Sequence, residues 1–200
     1  MNAFRLDDKV AIVTGSSRGI GRSIAEHLAE AAARVVISSR KADACEEVVR
    51  SIRGAGGQAI AITANIGDKL QLENLVNETR RQWGRIDVLV CNAASNPYYG
   101  PMAGLPDEAF NKILHNNVVS NHWLANLVLP DMAQRRDGVV IIVSSIGGLK
   151  GSGMLGAYAI SKAADMQLAR NLAVEWGRNN VRVNCIAPGL VKTDFARALW

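Results

Sequence analysis

With 200 residues, 48% of them hydrophobic, the chain is long enough to bury one compact core. Its net charge of +5 is spread along the sequence, densest at Arg80-Arg81 and Arg135-Arg136, and lacks the aromatic-interleaved basic stripe of a nucleic-acid binder. No apolar run approaches the ~20 residues of a bilayer span, and residues 1–13 carry no signal-peptide pattern, so the chain is expected to be soluble and cytoplasmic, with neither membrane nor nucleic acid as partner. Cys45, Cys91 and Cys185 are odd in number and far apart, which points to reduced thiols rather than a disulfide framework, and no metal site is expected.

In chain order, short Val- and Ile-rich runs alternate with longer amphipathic stretches, the pattern of strand–helix units that build a parallel sheet. Strands are expected at Val10–Thr14, Arg34–Ser38, Ala59–Thr63, Val88–Cys91, Val139–Ser144 and Val181–Ala187. The fifth is a continuous apolar run and so belongs near the centre of the sheet. The first helix closes on Ala31-Ala32-Ala33 without the glycine that a left-handed cap favours, so its end should be strained or differently terminated. A long helical stretch is expected over Asp107–Met132. No repeat or linker interrupts the chain, which predicts one α/β domain over residues 1–200, a doubly wound parallel sheet with helices on both faces.

Directly after the first strand stands Thr14-Gly15-Ser16-Ser17-Arg18-Gly19-Ile20-Gly21, and a helical stretch follows. Glycines allow a tight turn and close backbone approach, while the helix start offers unpaired N–H groups to a pyrophosphate. The strand, turn and helix context that such a motif requires is present. Its TGxxxGIG spacing resembles the glycine motif of the short-chain dehydrogenase/reductase family. That resemblance implies a Rossmann-type fold, a dinucleotide held by Gly15, Ser17, Arg18, Gly19, Ile20 and Gly21, and a redox activity.

The second strand ends Ser38-Ser39-Arg40-Lys41, where NAD-binding folds place a carboxylate for the ribose 2′-hydroxyl. Arg40 with Arg18 can instead grip a 2′-phosphate, Ser39 lying beside them, and this predicts NADP(H) as cofactor. Asn65-Ile66 follows the third strand, where the family more often has an aspartate contacting the adenine. Cys91-Asn92-Ala93-Ala94 resembles the family's NNAG motif, its last glycine replaced by Ala94; for Asn92 a structural role, bracing the central strand, is the stronger expectation. Pro188-Gly189-Leu190-Val191-Lys192-Thr193 resembles the family's PG motif, which implies that Pro188, Gly189, Val191 and Thr193 hold the nicotinamide carboxamide.

Tyr158 and Lys162 stand four apart, on one helix face, and a neighbouring cation favours the phenolate form of a general acid–base. Ser144-Ser145 ends the fifth strand at the carboxyl edge of the sheet, where open α/β folds bind ligands, and a hydroxyl there can stabilise charge developing on a substrate oxygen. Asn117, with Asn116 as a register rival, lies inside the long helical stretch. Ser145, Tyr158, Lys162 and Asn117 match the family tetrad. The resemblance implies that Tyr158 exchanges a proton with the substrate, Lys162 binds the nicotinamide ribose, Ser145 polarises the substrate oxygen and Asn117 holds a water linked to Lys162.

The resemblance runs from about Lys9 to Trp200, and family members usually continue further, with a substrate-covering helix and a final edge strand. A full-length chain is expected to form homodimers or homotetramers through the helices that carry Asn117 and Tyr158. The segments 90–100 and 189–195, with terminal Leu199-Trp200, further resemble NADPH-dependent tetrameric carbonyl reductases, which implies a small-molecule ketone, aldehyde or secondary alcohol as substrate. Tyr98 and Tyr99 are either walls of the substrate site or loop packing. Two other readings stand beside this one: a 3-oxoacyl-carrier-protein reductase, docking an acidic carrier through Arg135, Arg136 and Arg178, and a non-catalytic NADP-binding sensor.

Overall fold

The computed structural model describes residues 4–199, so the expectation attached to Trp200 lies outside the described residues. Strands β1 (Val10–Thr14), β2 (Arg34–Ser38), β3 (Gln58–Ala61), β4 (Val88–Cys91), β5 (Gly138–Val143) and β6 (Val181–Ile186) form one six-stranded sheet in the order β3-β2-β1-β4-β5-β6. Every pairing is parallel, with Ile12 opposite both Val36 and Leu89 at the centre. The helices are α1 (Gly19–Glu30), α2 (Ala42–Gly54), α3 (Lys69–Trp83), α4 (Asp107–Leu114), α5 (Ser120–Arg135) and α6 (Gly156–Trp176).

Side chains alternate across the strands, and the two faces bury separate cores. Ile12, Leu89, Val140 and Ile142 pack with Leu72, Leu124, Leu129 and Leu172 from α3, α5 and α6. Ala11, Val13, Val35 and Ile37 pack with Ala25, Val48, Val49 and Ile52 from α1 and α2. This is the expected doubly wound α/β class, with helices on both faces. Because β1 pairs with β2 on one side and β4 on the other, the connections leaving β1 and β4 run to opposite faces. The carboxyl ends of these two strands flank the topological switch point, the ligand position of such sheets.

Four expectations need correction. The third strand runs Gln58–Ala61 rather than Ala59–Thr63, its last ladder pair being Ile37 with Ala61. The fifth and sixth strands likewise end one residue early. Asp107–Met132 is not one helix: a π turn, His115–Val119, separates α4 from α5, which continues through Pro130 to Arg135. A π turn widens the backbone and leaves carbonyls in need of donors. Here Ser120 Oγ donates to Asn116 O at 2.6 Å and Asn121 Nδ2 to Asn117 O at 2.6 Å. The end of α1 is strained as expected, Ala32 taking φ +75°, a conformation that costs about 1 kcal/mol relative to glycine.

Candidate active site

The glycine turn is fixed from three sides. Ser16, buried and unremarked in the sequence, donates from Oγ to Val13 O at 2.6 Å and accepts from Ser38 N–H at 2.9 Å, tying the turn to β2. Thr14 Oγ1 accepts from the N–H groups of Asn92 and Ala93, tying it to β4. Asn92 donates from Nδ2 to Thr14 O at 2.9 Å and Gly15 O at 3.2 Å. It is thus a brace between β4 and the turn, the structural role expected for it. A Cβ at Gly21 would collide with the Gly15 carbonyl and Asn92 Nδ2, so only glycine lets α1 start here.

The first turn of α1 has no side-chain cap and no acidic residue. Arg18, at the N-cap, is extended, and Gly19 follows with φ +56°. The amides at the head of α1 are therefore open to an anion, and the donor set fits a pyrophosphate. Arg18 itself, largely exposed, lies 3.5 Å from Asp194, and Thr193 packs its methyl toward Gly19. Ser17 and Ile20 are half-buried in the turn.

The remaining nucleotide candidates line the same carboxyl edge. Ser39 Oγ lies 3.1 Å from the buried Cys45 Sγ, and Arg40 beside it is exposed. Asn65 Oδ1 accepts from Gly67 N–H at 3.1 Å, so the amide is already engaged in its own turn, while Ile66 packs on the core. Ala93 Cα sits against Gly15, and Ala94 follows it along the edge, half-buried. Pro188 O accepts from Ile146 N–H at 3.1 Å, placing Gly189 and the exposed Val191 opposite the end of β5.

Ser145 leaves β5 into a 3-10 turn, Ile146–Leu149, which is packed on α6: a Cβ at Gly148 would meet the backbone of Lys162 and Ala163. Ser144 adds a stitch, Oγ donating to Lys162 O at 2.7 Å. Ser145 Oγ accepts from Gly147 N–H at 3.0 Å, which leaves its own proton for another acceptor. Tyr158 is half-buried with the Phe195 ring 6.1 Å away, and Lys162 Nζ lies 5.7 Å from the Tyr158 ring centroid. Asn117 is fully buried; its Oδ1 accepts from Ser95 N–H at 2.8 Å and its Nδ2 donates to Ser161 Oγ at 3.0 Å, anchoring the π turn to α6. Asn116 donates to Ser95 Oγ at 3.1 Å instead.

Beside Tyr158 lies a closed crevice, lined by Tyr98, Met102, Leu105, Met154 and Leu155, with no room for a water-sized group. Tyr98 donates to Pro101 O at 2.9 Å, whereas Tyr99 does not line the crevice.

A family profile for short chain dehydrogenases matches residues 9–200. The chain belongs to the short-chain dehydrogenase family. It is similar to Dehydrogenase/reductase SDR family member 4 of Bos taurus, 42% identical over 195 residues, which are 98% of this chain and 70% of the relative. In structure it resembles a 7 alpha-hydroxysteroid dehydrogenase complexed with NADH and 7-oxo glycochenodeoxycholic acid, with TM-score 0.94, 38% identity and coverage of 98% of this chain and 76% of that one. It also resembles a gluconate 5-dehydrogenase from Burkholderia cenocepacia J2315 in complex with NADP and tartrate, with TM-score 0.92, 30% identity and coverage of 98% and 76%. The chain is therefore an oxidoreductase acting between CH–OH and C=O, of a family that uses a nicotinamide cofactor and small-molecule substrates. No helix among the described residues is long and apolar enough to cross a membrane.

Within this short-chain dehydrogenase, sequence reasoning missed a buried polar cluster. Lys162 is 2% exposed, and its Nζ donates to Val143 O and to Asp165 Oδ2, both at 2.9 Å. Asp165, fully buried, also accepts from Asn121 Nδ2 at 2.9 Å. Burial raises the Asp165 carboxyl above the ordinary range, while Lys162 and Asn121 oppose the rise. Burial, then Asp165, pushes the Cys91 thiol far up, so it is an inert core group. The signal was present as spacing: Asp165 stands three residues after Lys162, and Asn121 four after Asn117. Of the basic cluster expected to dock an acidic carrier, Arg136 and Arg178 are exposed and Arg135 is half-buried. Arg135 donates to Ile86 O at 2.7 Å and Arg136 to Arg178 O at 3.3 Å.

Proposed function

We propose that this chain is an NADP(H)-dependent carbonyl reductase, converting a ketone or aldehyde to an alcohol or running the reverse. The observation that carries the reading is the seam between β5 and α6, which brings Ser145, Tyr158 and Lys162 to the carboxyl edge. Gly15, Gly19 and Gly21 with the head of α1 would hold the pyrophosphate, Asn65 and Ile66 would border the adenine, and Pro188, Gly189, Val191 and Thr193 would border the nicotinamide. Arg40, at the end of β2 where no carboxylate stands, and Arg18 support the 2′-phosphate form. When bound, NADP(H) supplies or accepts the hydride.

The protein's own groups handle the proton. Tyr158 gives its phenolic proton to the substrate oxygen during reduction and takes it back during oxidation. Lys162 stabilises the phenolate left behind, and Ser145, its oxygen held by Gly147 N–H, donates its free proton to the same substrate oxygen.

Tyr158→Phe should abolish ketone-dependent NADPH oxidation, a loss of at least about 100-fold, while leaving NADPH binding intact by fluorescence titration. Unchanged turnover would refute the reading. Comparing NADPH with NADH in wild type and Arg40→Asp tests the cofactor, and an unaltered preference removes Arg40 from it.

A further inference from the structure

Buried charge is costly unless it is paired and hydrogen-bonded, and a lone buried ammonium sheds its proton instead. Lys162 is buried but paired. At 2% exposure it donates to one backbone carbonyl and one carboxylate, Asp165, whose other oxygen is held by Asn121. Asn121 in turn donates to the Asn117 carbonyl within the π turn. A continuous chain of hydrogen bonds therefore runs from the π turn through Asn121 and Asp165 to the ammonium beside Tyr158.

We infer that Asp165 is a positioning residue: it is the counter-charge that keeps Lys162 protonated and anchored at Val143, so that a cation stands next to the Tyr158 phenol. This rests on the Tyr158/Lys162 reading above and adds a residue to it. The groups around Asp165 leave it this task. From α6 come Lys162 and Tyr158; from α5 comes Asn121, which is uncharged; from β4 and β6 come the thiols of Cys91 and Cys185, both pushed up by burial and then by Asp165 itself, and so neutral. Among the described residues, Lys162 is the cation that Asp165 pairs with.

Asp165→Asn keeps the shape and an oxygen for Lys162 but removes the charge. In cofactor-free protein carrying 13C-labelled tyrosine, with Tyr158 assigned by loss of its signal in Tyr158→Phe, the Tyr158 titration midpoint should rise by about one unit in Asp165→Asn. The acid limb of the pH profile for alcohol oxidation should move up by the same amount. Asn121→Ala, which keeps the charge, should leave the midpoint in place. A midpoint that stays put in Asp165→Asn makes Asp165 a packing residue, and one that falls means Asp165 merely screens Lys162; either overturns the inference. If Asp165→Asn does not fold, Lys162→Met in the same chain should restore folding by removing the buried, unpaired amine, and failure to do so overturns it as well. A wild type without any turnover would refute the enzyme reading alone, because the phenol titration needs neither cofactor nor substrate.

Discussion

Helices α1 and α3 both leave the carboxyl edge of the sheet, and their first turns are built on opposite plans. At α3, Asp68 accepts from the N–H groups of Leu70 and Gln71, Gln71 donates back to Asp68 at 2.9 Å, and Gly84 closes the far end in a left-handed cap. Every feature serves local stability. At α1, Arg18 stands at the N-cap without a side-chain acceptor, glycines replace better helix formers, and Ala32 closes the helix under strain. The stabilising groups are withheld where the proposed cofactor's phosphates would enter. The helix that is worse by local criteria is the one proposed to hold the cofactor, and the difference measures what that site would cost.

The comparison breaks most completely at Gly21. Gly21→Ala should abolish dinucleotide binding in calorimetry and lower stability by about 1–3 kcal/mol, because the new methyl must displace the Gly15 carbonyl or Asn92. Retained binding would mean that the turn is not the cofactor cradle. Next comes Arg18→Asp, which gives α1 the cap that α3 has. Cofactor-free stability should hold or rise by up to about 1 kcal/mol, while NADPH and NADH both bind at least about tenfold more weakly, the carboxylate having taken the anion's donors. Weakening confined to NADPH would assign Arg18 to the 2′-phosphate alone. The smallest effect is expected at α3: Asp68→Ala should lower the denaturation midpoint by an amount worth about 1 kcal/mol and leave cofactor affinity unchanged.

Much of this was legible in the sequence because it depends on residues close together in the chain. Parallel strands buried on both faces announce themselves as apolar runs, and Thr14 to Gly21 carries its own turn chemistry. Tyr158, Lys162 and Asp165 share a helix face by spacing alone, although only the first two drew notice. Less was readable where distant segments negotiate. The π turn has no residue signature, since an i→i+5 turn forms when side chains such as Asn117 and Asn121 find partners on another helix. Tyr98 and Tyr99 are indistinguishable in sequence, and their loop alone decides that Tyr98 lines the crevice. Arg135 read as surface charge until Ile86 O and Asp87 appeared beside it.

The sequence by itself determined the layered α/β class, the glycine turn and the proposed proton-handling pair, for each is written in periodicity or in residues within one turn of each other. Tertiary structure alone decided the environment of that pair. It closed Lys162 from water, set Asp165 and Asn121 against it, and joined Ser145 to α6 through Gly148 and Ser144. Charge and hydrogen bonding depend on distance and dielectric, which a chain acquires only when segments remote in sequence are packed together.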